Sequence, residues 1–353
     1  MHKHPYFFLI VSIIALLALT ACTAATLPTV TSTTQPLPSA TPTRVTSTPT
    51  LVPPTSTPEP SPTTPPVLGY ASLPDGEYLI YETYYEIGAF SLGQGTQTRL
   101  VDKIPAGFGS TFSPDLHHVV YIPWQGHRGY MFDLATGQKS EYPFLSGCNS
   151  ATLSVDNQYF LAVCTFEENQ PSQIYLIAVD GSGVTPVSKC EKALLDCGYA
   201  HLSPDGNWFT YYSHYGGSWS TPPWENGIGL VKTACFDGQT TCDSAEYGPF
   251  SIEIPHNWSP NSQYLATCVM DAIAIYQFEN TAIKKIKSID IEPCLFADAP
   301  VWSPDSTQLA YATQDEVIMM IRFDGSETRE IEHFPEDAAL LGWVVIKDGE
   351  VVR

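Results

Sequence analysis

Eight cysteines carry the plainest chemistry in this chain: Cys148, Cys164, Cys190, Cys197, Cys235, Cys242, Cys268 and Cys294. An even count in an exported chain reads as a disulfide framework, with roughly a hundred possible pairings. None of the spacings is C-x-x-C, so no zinc cage is expected, nor any other metal or cofactor. No G-x-S-x-G, H-E-x-x-H or P-loop occurs, and no complete D-x-[DN]-x-[DN]-G calcium loop. No residue is therefore assigned a catalytic role. His117 and His118 fall in a turn, where exposure is expected. His201 and His256 are expected to pack or hydrogen-bond. A different chemistry, recognition, is offered by a Gly/Pro-rich insertion, Ser213 to Gly227, that holds Tyr215, Trp219 and Trp224. Aromatic side chains in such a setting make stacking surfaces for peptide or sugar.

The ninth cysteine, Cys22, has another setting. Tyr6 to Leu19 is an almost unbroken apolar run of 14 residues behind a weakly basic start. That is short for a bilayer span, which takes about 20, and it suits the core of a secretory signal peptide. Leu19-Thr20-Ala21-Cys22 closes it and resembles the bacterial lipobox. The resemblance implies cleavage before Cys22, so that residues 1–21 are a signal peptide, and lipidation of Cys22 as a membrane anchor outside the cytoplasm. One acyl chain alone holds weakly, so several are expected on this cysteine. Thr23 in place of Asp permits outer-membrane sorting.

Residues 22–67 read as a stalk. Of the 45 residues from Thr23 to Val67, 15 are Thr and 12 are Pro, with no aromatic. Such a stretch cannot bury enough apolar surface to offset its chain entropy. Its Pro content favours extended polyproline II, and Ser/Thr beside Pro suits O-glycosylation.

From Leu68 to Arg353 the composition is globular, and the cysteines and aromatics above need a scaffold. Internal repetition supplies one. Leu73-Pro74-Asp75-Gly76, Phe112-Ser113-Pro114-Asp115, Leu153-Ser154-Val155-Asp156, Leu202-Ser203-Pro204-Asp205, Trp258-Ser259-Pro260-Asn261 and Trp302-Ser303-Pro304-Asp305 each precede an apolar run. The Pro position recurs after 40, 41, 49, 56 and 44 residues. Each tetrad is turn chemistry: Pro sets φ, Asp bonds its own backbone, and Gly or Asn takes positive φ. Further strands are expected at Gly129 to Leu134, Ile174 to Val179, Ile228 to Lys232, Ala272 to Phe278 and Val317 to Phe323. Four strands in about 40–45 residues is the period of a propeller blade.

The chain resembles the W-S-P-D-G…L-A-Y repeat proteins related to the TolB propeller. Leu116, Asn157, Val155 and Asn261 depart from that pattern in single turns. The resemblance implies an all-β fold, a β-propeller over residues 68–353, with six blades expected and seven as the alternative. Trp343 follows Trp302 by 41 residues and mimics a seventh start, but too little chain follows to build a blade. Leu340 to Ile346 is instead expected to close the ring against the first blade and remove an open sheet edge.

The repeat narrows the disulfides. Cys235 and Cys242 flank one turn. Cys268 ends a second strand, and Cys294 precedes the next blade, which places both on one face of the ring. Cys148–Cys164 and Cys190–Cys197 complete the set, with Cys164–Cys190 as the rival. Tyr84, Tyr85 and Trp124 fall in loops equivalent to the Ser213–Gly227 insertion and are expected to share its rim.

The folded part holds 36 acids and 14 bases. Nucleic acid and anionic surfaces are poor partners for that field. The expectation is a monomeric, noncatalytic binding module for a protein, peptide or glycan, tethered to the membrane through lipidated Cys22. The alternative is a metal-assisted hydrolase or lyase working in the central channel. A role like that of TolB in envelope assemblies is a third reading.

Overall fold

The computed structural model describes residues 69–352, apart from 103, 105–109, 124–127, 167–171, 190–195, 219–220, 234–244, 251–255, 270, 280–281 and 295–298. For 188–189, 196–199, 212–218, 221–227, 245–250, 279 and 282 it describes the backbone alone.

Six antiparallel sheets follow one another along the chain. Blade 1 contains β1 (Gly76–Glu82), β2 (Glu86–Ser91) and β3 (Gln97–Asp102). Blade 2 is β4 (Ser110–Phe112), β5 (His118–Tyr121), β6 (Gly129–Asp133) and β7 (Gln138–Tyr142). Blade 3 is β8 (Cys148–Leu153), β9 (Tyr159–Cys164), β10 (Gln173–Ala178) and β11 (Val184–Lys189). Blade 4 is β12 (Asp196–Leu202), β13 (Trp208–Ser218), β14 (Thr221–Lys232) and β15 (Ala245–Phe250). Blade 5 is β16 (His256–Trp258), β17 (Tyr264–Val269), β18 (Ala272–Glu279) and β19 (Ala282–Asp290). Blade 6 is β20 (Val301–Trp302), β21 (Gln308–Ala312), β22 (Ile318–Arg322) and β23 (Arg329–Ile331). The chain then returns to blade 1 as β24 (Ala339–Lys347) and β25 (Glu350–Val352), in the order β25-β24-β1-β2-β3.

The second strand of each blade explains the packing. Tyr78-Leu79-Ile80-Tyr81 has no polar side because it lies between two other blades. Tyr78 and Ile80 join Val119, Tyr121 and Phe132 of blade 2. Leu79 and Tyr81 join Val301, Ala310 and Met320 of blade 6. The same alternation recurs around the ring. Blades 2 and 3 share Val120, Ile122 and Phe160. Blades 3 and 4 share Leu161, Val163, Phe209 and Tyr211. Blades 4 and 5 share Ile228, Leu230, Leu265 and Tyr276. Blades 5 and 6 share Ala266, Ile273, Leu309 and Tyr311. Six such seams close the circle. Each fully buried large side chain contributes about 1.5–3 kcal/mol relative to exposure.

Ring closure runs as expected from Leu340 to Ile346. β24 pairs antiparallel with β1, from Gly76↔Ile346 to Glu82↔Ala339, and supplies the inner strand that blade 1 lacks. Asp348 and Gly349 turn the chain into β25 with positive φ at both residues, +54° and +79°. That is the geometry of a two-residue hairpin turn, which an Asp-Gly pair favours.

Two disulfides fall among the described residues, Cys148–Cys164 and Cys268–Cys294, both as expected. The first joins residues opposite each other on β8 and β9. It leaves no free thiol for the rival Cys164–Cys190. Cys190, Cys235 and Cys242, with the side chain of Cys197, lie outside the described residues. The insertion in unit four differs from the expected loop. β13 and β14 keep pairing as far as Ser218↔Thr221, so the segment is a long hairpin rather than an irregular coil.

Candidate functional site

The inner strands of the blades end in the repeated tetrads, and these turns share one face of the ring. Their geometry is the same in five blades. The Ser hydroxyl donates to the next-but-one Asp or Asn: Ser113 to Asp115 (2.5 Å), Ser154 to Asp156 (2.6 Å), Ser203 to Asp205 (2.6 Å), Ser259 to Asn261 (2.7 Å) and Ser303 to Asp305 (2.6 Å). The same Ser oxygen accepts the N–H that starts the second strand, from His118, Tyr159, Trp208, Tyr264 or Gln308. Both tetrad polar groups are thus spent on fixing the turn. The residue after the Asp or Asn takes positive φ in every case, at Leu116, Asn157, Gly206, Ser262 and Ser306.

Asn157, Ser262 and Ser306, which stand at that position in place of Gly, gain hydrogen bonds with the neighbouring blade. Asn157 donates to Asp115 Oδ2 (3.2 Å) and Ser262 Oγ accepts from the Asp205 N–H (3.0 Å). The turns are thereby linked into a collar. Burial alone would raise the Asp115 carboxyl, but hydrogen bonds from His118, Ser113, the His117 N–H and Asn157 outweigh it and hold it well below the usual carboxylate range. Asp205 and Asp305 are also lowered: burial opposes ionisation there, and hydrogen bonds from Ser203 and Asn207, or from Ser303 and Thr307, overcome it. His118, expected to be exposed, is instead half-buried against Asp115 at 3.4 Å.

Inside the collar, at the tetrad end of the inner strands, lies a cavity of about 320 Å³. Its walls come from blades 1, 2, 4, 5 and 6. Phe112, Leu116, Leu202, Val301, Leu341 and Val352 give it an apolar surface, and Pro114, Pro204, Pro260 and Pro304 edge it. Trp258, Trp302 and Trp343 reach it as well, but they serve the seams. Trp258 stacks on Phe278 at 4.3 Å and donates to Thr210 Oγ1, while Trp302 donates to the Asn257 carbonyl of the preceding blade. Among the described residues, Asp305 is the acid in the lining, and no Lys or Arg lines it.

The two histidines meet beside this cavity. His201 lines it, and its ring stands 5.1 Å from that of His256. His256 is fully buried, with Nε2 2.8 Å from Thr210 Oγ1, as the expectation of packing and hydrogen bonding requires. Burial lowers the His201 imidazole to about 4. Burial, with the nearby His201, holds the His256 imidazole well below its ordinary value. Both rings are neutral at physiological pH. Among the described residues, no three His, Cys, Asp or Glu side chains stand together as a metal site would need.

Of the sequence-derived rim, Tyr84 and Tyr85 lie on the opposite face. Tyr84 and Tyr85, in the β1–β2 loop, are 46% and 75% exposed, with ring centroids 6.5 Å apart. Trp124 and Trp219 fall outside the described residues, and Tyr215 and Trp224 are described in backbone only, on β13 and β14. The cavity is the feature that sequence reasoning missed. The recurring tetrad Pro and apolar residue were its only signal.

Comparison with known proteins bears on the fold. No family model matches the sequence, and no curated protein does. Solved structures match. TolB from Acinetobacter baumannii is 16% identical, with 78% of this chain and 68% of that chain covered and a TM-score of 0.54. A nidogen/laminin complex structure is 13% identical, covering 76% of this chain and 97% of that one, with a TM-score of 0.55. This chain folds as a six-bladed β-propeller. The hydrazine synthase of Kuenenia stuttgartiensis shares the shape at 11% identity, with 69% and 79% covered and a TM-score of 0.51. At these identities the likeness extends to the propeller fold alone.

Proposed function

We propose that this propeller is a noncatalytic binding module, held outside the cytoplasm by lipidated Cys22, that receives a protein or peptide partner in the cavity at its tetrad face. One observation carries the reading. Five blades converge on a preformed concave site of about 320 Å³ with apolar walls and few polar groups. That is the general form of a binding pocket. The disulfides Cys148–Cys164 and Cys268–Cys294 support an oxidising compartment. The TolB-like shape is in keeping with a protein-interaction role.

The test is a thermal-shift screen of the oxidised protein against peptides, glycans and divalent cations, with chelator as control. A ligand that binds the native state raises the melting temperature by mass action. A peptide-induced shift that Val352→Trp abolishes supports the cavity. A shift produced by a cation and reversed by chelator revives the hydrolase or lyase reading. A second site is favoured by the exposed pair Tyr84 and Tyr85. A shift lost in Tyr84→Ala/Tyr85→Ala, and kept in Val352→Trp, would move recognition to the opposite face.

A further inference from the structure

Building on the binding-cavity reading above, we infer that the cavity selects a short peptide segment in which aliphatic side chains stand next to a lysine or arginine. The walls argue for the aliphatic part. Phe112, Leu116, Leu202, Val301, Leu341 and Val352 offer hydrocarbon, and a buried aliphatic side chain gains about 1.5–3 kcal/mol in such a place.

Part of the polar lining is already spent within the fold, which disfavours a hydroxyl-rich ligand. Asn257 Nδ2 donates to the Pro300 carbonyl, and Asn261 Oδ1 accepts from Ser259 and from the Gln263 N–H. Ser306 Oγ accepts from the Asn261 N–H. These bonds use up part of the hydrogen-bonding capacity that a sugar would need.

The charge argues for a cation. Asp115, Asp156, Asp205 and Asp305 occupy the same place in four tetrads, so carboxylates recur around the collar. Asp305 is exposed and lines the cavity. No base stands in the lining among the described residues, and the folded part carries 36 acids against 14 bases. Low-dielectric walls edged with one sign of charge focus the field at the opening and concentrate the opposite sign there. An apolar segment with an acidic neighbour would meet the same walls and be repelled at the edge.

The chain itself supplies a clean variant. Asn261 stands where the other tetrads have Asp, and it makes the same turn bonds. Asp305→Asn therefore removes charge and keeps the turn. The experiment uses the full oxidised protein and two probes, acetyl-Leu-Pro-Val-Lys-amide and the same peptide with Glu for Lys, titrated calorimetrically at low and high salt. The Lys probe is expected to bind about tenfold more tightly, with the gap closing as salt screens the edge. Asp305→Asn is expected to weaken the Lys probe severalfold, to leave the Glu probe no weaker, and to lower the melting temperature only slightly. Val352→Trp, at a position 41% exposed near the chain end, is expected to abolish both. Equal affinity for the two probes, both lost in Val352→Trp, would overturn the charge selection and leave the binding-cavity reading standing. Binding of neither probe, or binding indifferent to Val352→Trp, would overturn the binding-cavity reading as well.

Discussion

Asp75 Oδ1 accepts the backbone N–H of Asp348 at 2.8 Å, across 273 residues of sequence. In the other blades the tetrad Asp or Asn bonds within its own turn, because inner and second strands are consecutive. In blade 1 the inner strand comes from the far end of the chain. Asp75 makes across two segments the kind of bond that its counterparts make within one. Asp75→Ala is expected to lower stability by about 1 kcal/mol, and Asp75→Asn, which keeps the acceptor, by less. That corresponds to a melting temperature shift of about 2–4 °C in a domain of this size, readable by calorimetry. Equal shifts for the two variants would refute the role.

The Cys268–Cys294 bridge ties the end of β17 to the approach of blade 6, closing a 26-residue separation. Cys268→Ser/Cys294→Ser is expected to cost about 2–4 kcal/mol. Peptide mapping without reduction should recover Cys148 linked to Cys164 and Cys268 linked to Cys294. A Cys164–Cys190 peptide would contradict the structure.

Acid should weaken the protein in two separate windows. His201 and His256 have folded values below their ordinary 6.5. The unfolded chain therefore takes up protons first as pH falls. Stability from these groups is complete above about pH 6.5 and is lost towards about pH 4 for His201. A fall on the order of 1 kcal/mol between pH 7 and 5 is expected, since His201 keeps part of its surface open to the cavity. The lowered Asp115, Asp205 and Asp305 act below that range. Urea unfolding of His201→Asn should show a flatter slope between pH 7 and 5; an unchanged slope would assign the loss elsewhere.

Gly342 tolerates no side chain. A Cβ there would stand 2.4 Å from the Phe112 ring, across the seam between β24 and β4. Gly342→Ala is expected to cost about 1–3 kcal/mol by overpacking. Adding Phe112→Leu should recover part of that loss in a double-mutant cycle, because the two residues touch. Additive losses would show that the strain is relieved elsewhere.

Much of the ring was legible because its signals are local. Ser203-Pro204-Asp205-Gly206 shows its turn through bonds spanning five residues, and Tyr78 to Tyr81 shows double burial by having no polar face. Trp343, placed 41 residues after Trp302, was enough to locate the closing strand. What escaped depends on partners distant in sequence. Asn157 looked like a flaw in its turn and Ser262 carried no signal; their bonds to blades 2 and 4 appear only when the turns meet. The cavity escaped for the same reason, since Phe112, Leu202 and Leu341 carry no mutual pattern along the chain. The unit-four insertion was misjudged because its Gly and Pro suggest coil, whereas pairing inherited from the blade carries both strands outward to Ser218 and Thr221.

The place of β24 also sets the order of synthesis against the order of assembly. Leu79 and Tyr81 are among the first propeller residues made, yet Leu340 and Trp343, which cover them, are among the last. Until those late residues arrive, β1 presents an unpaired edge and one uncovered apolar seam. A chain cut short before Ala339 would keep that edge permanently, offering proteases an entry point that the finished ring does not have.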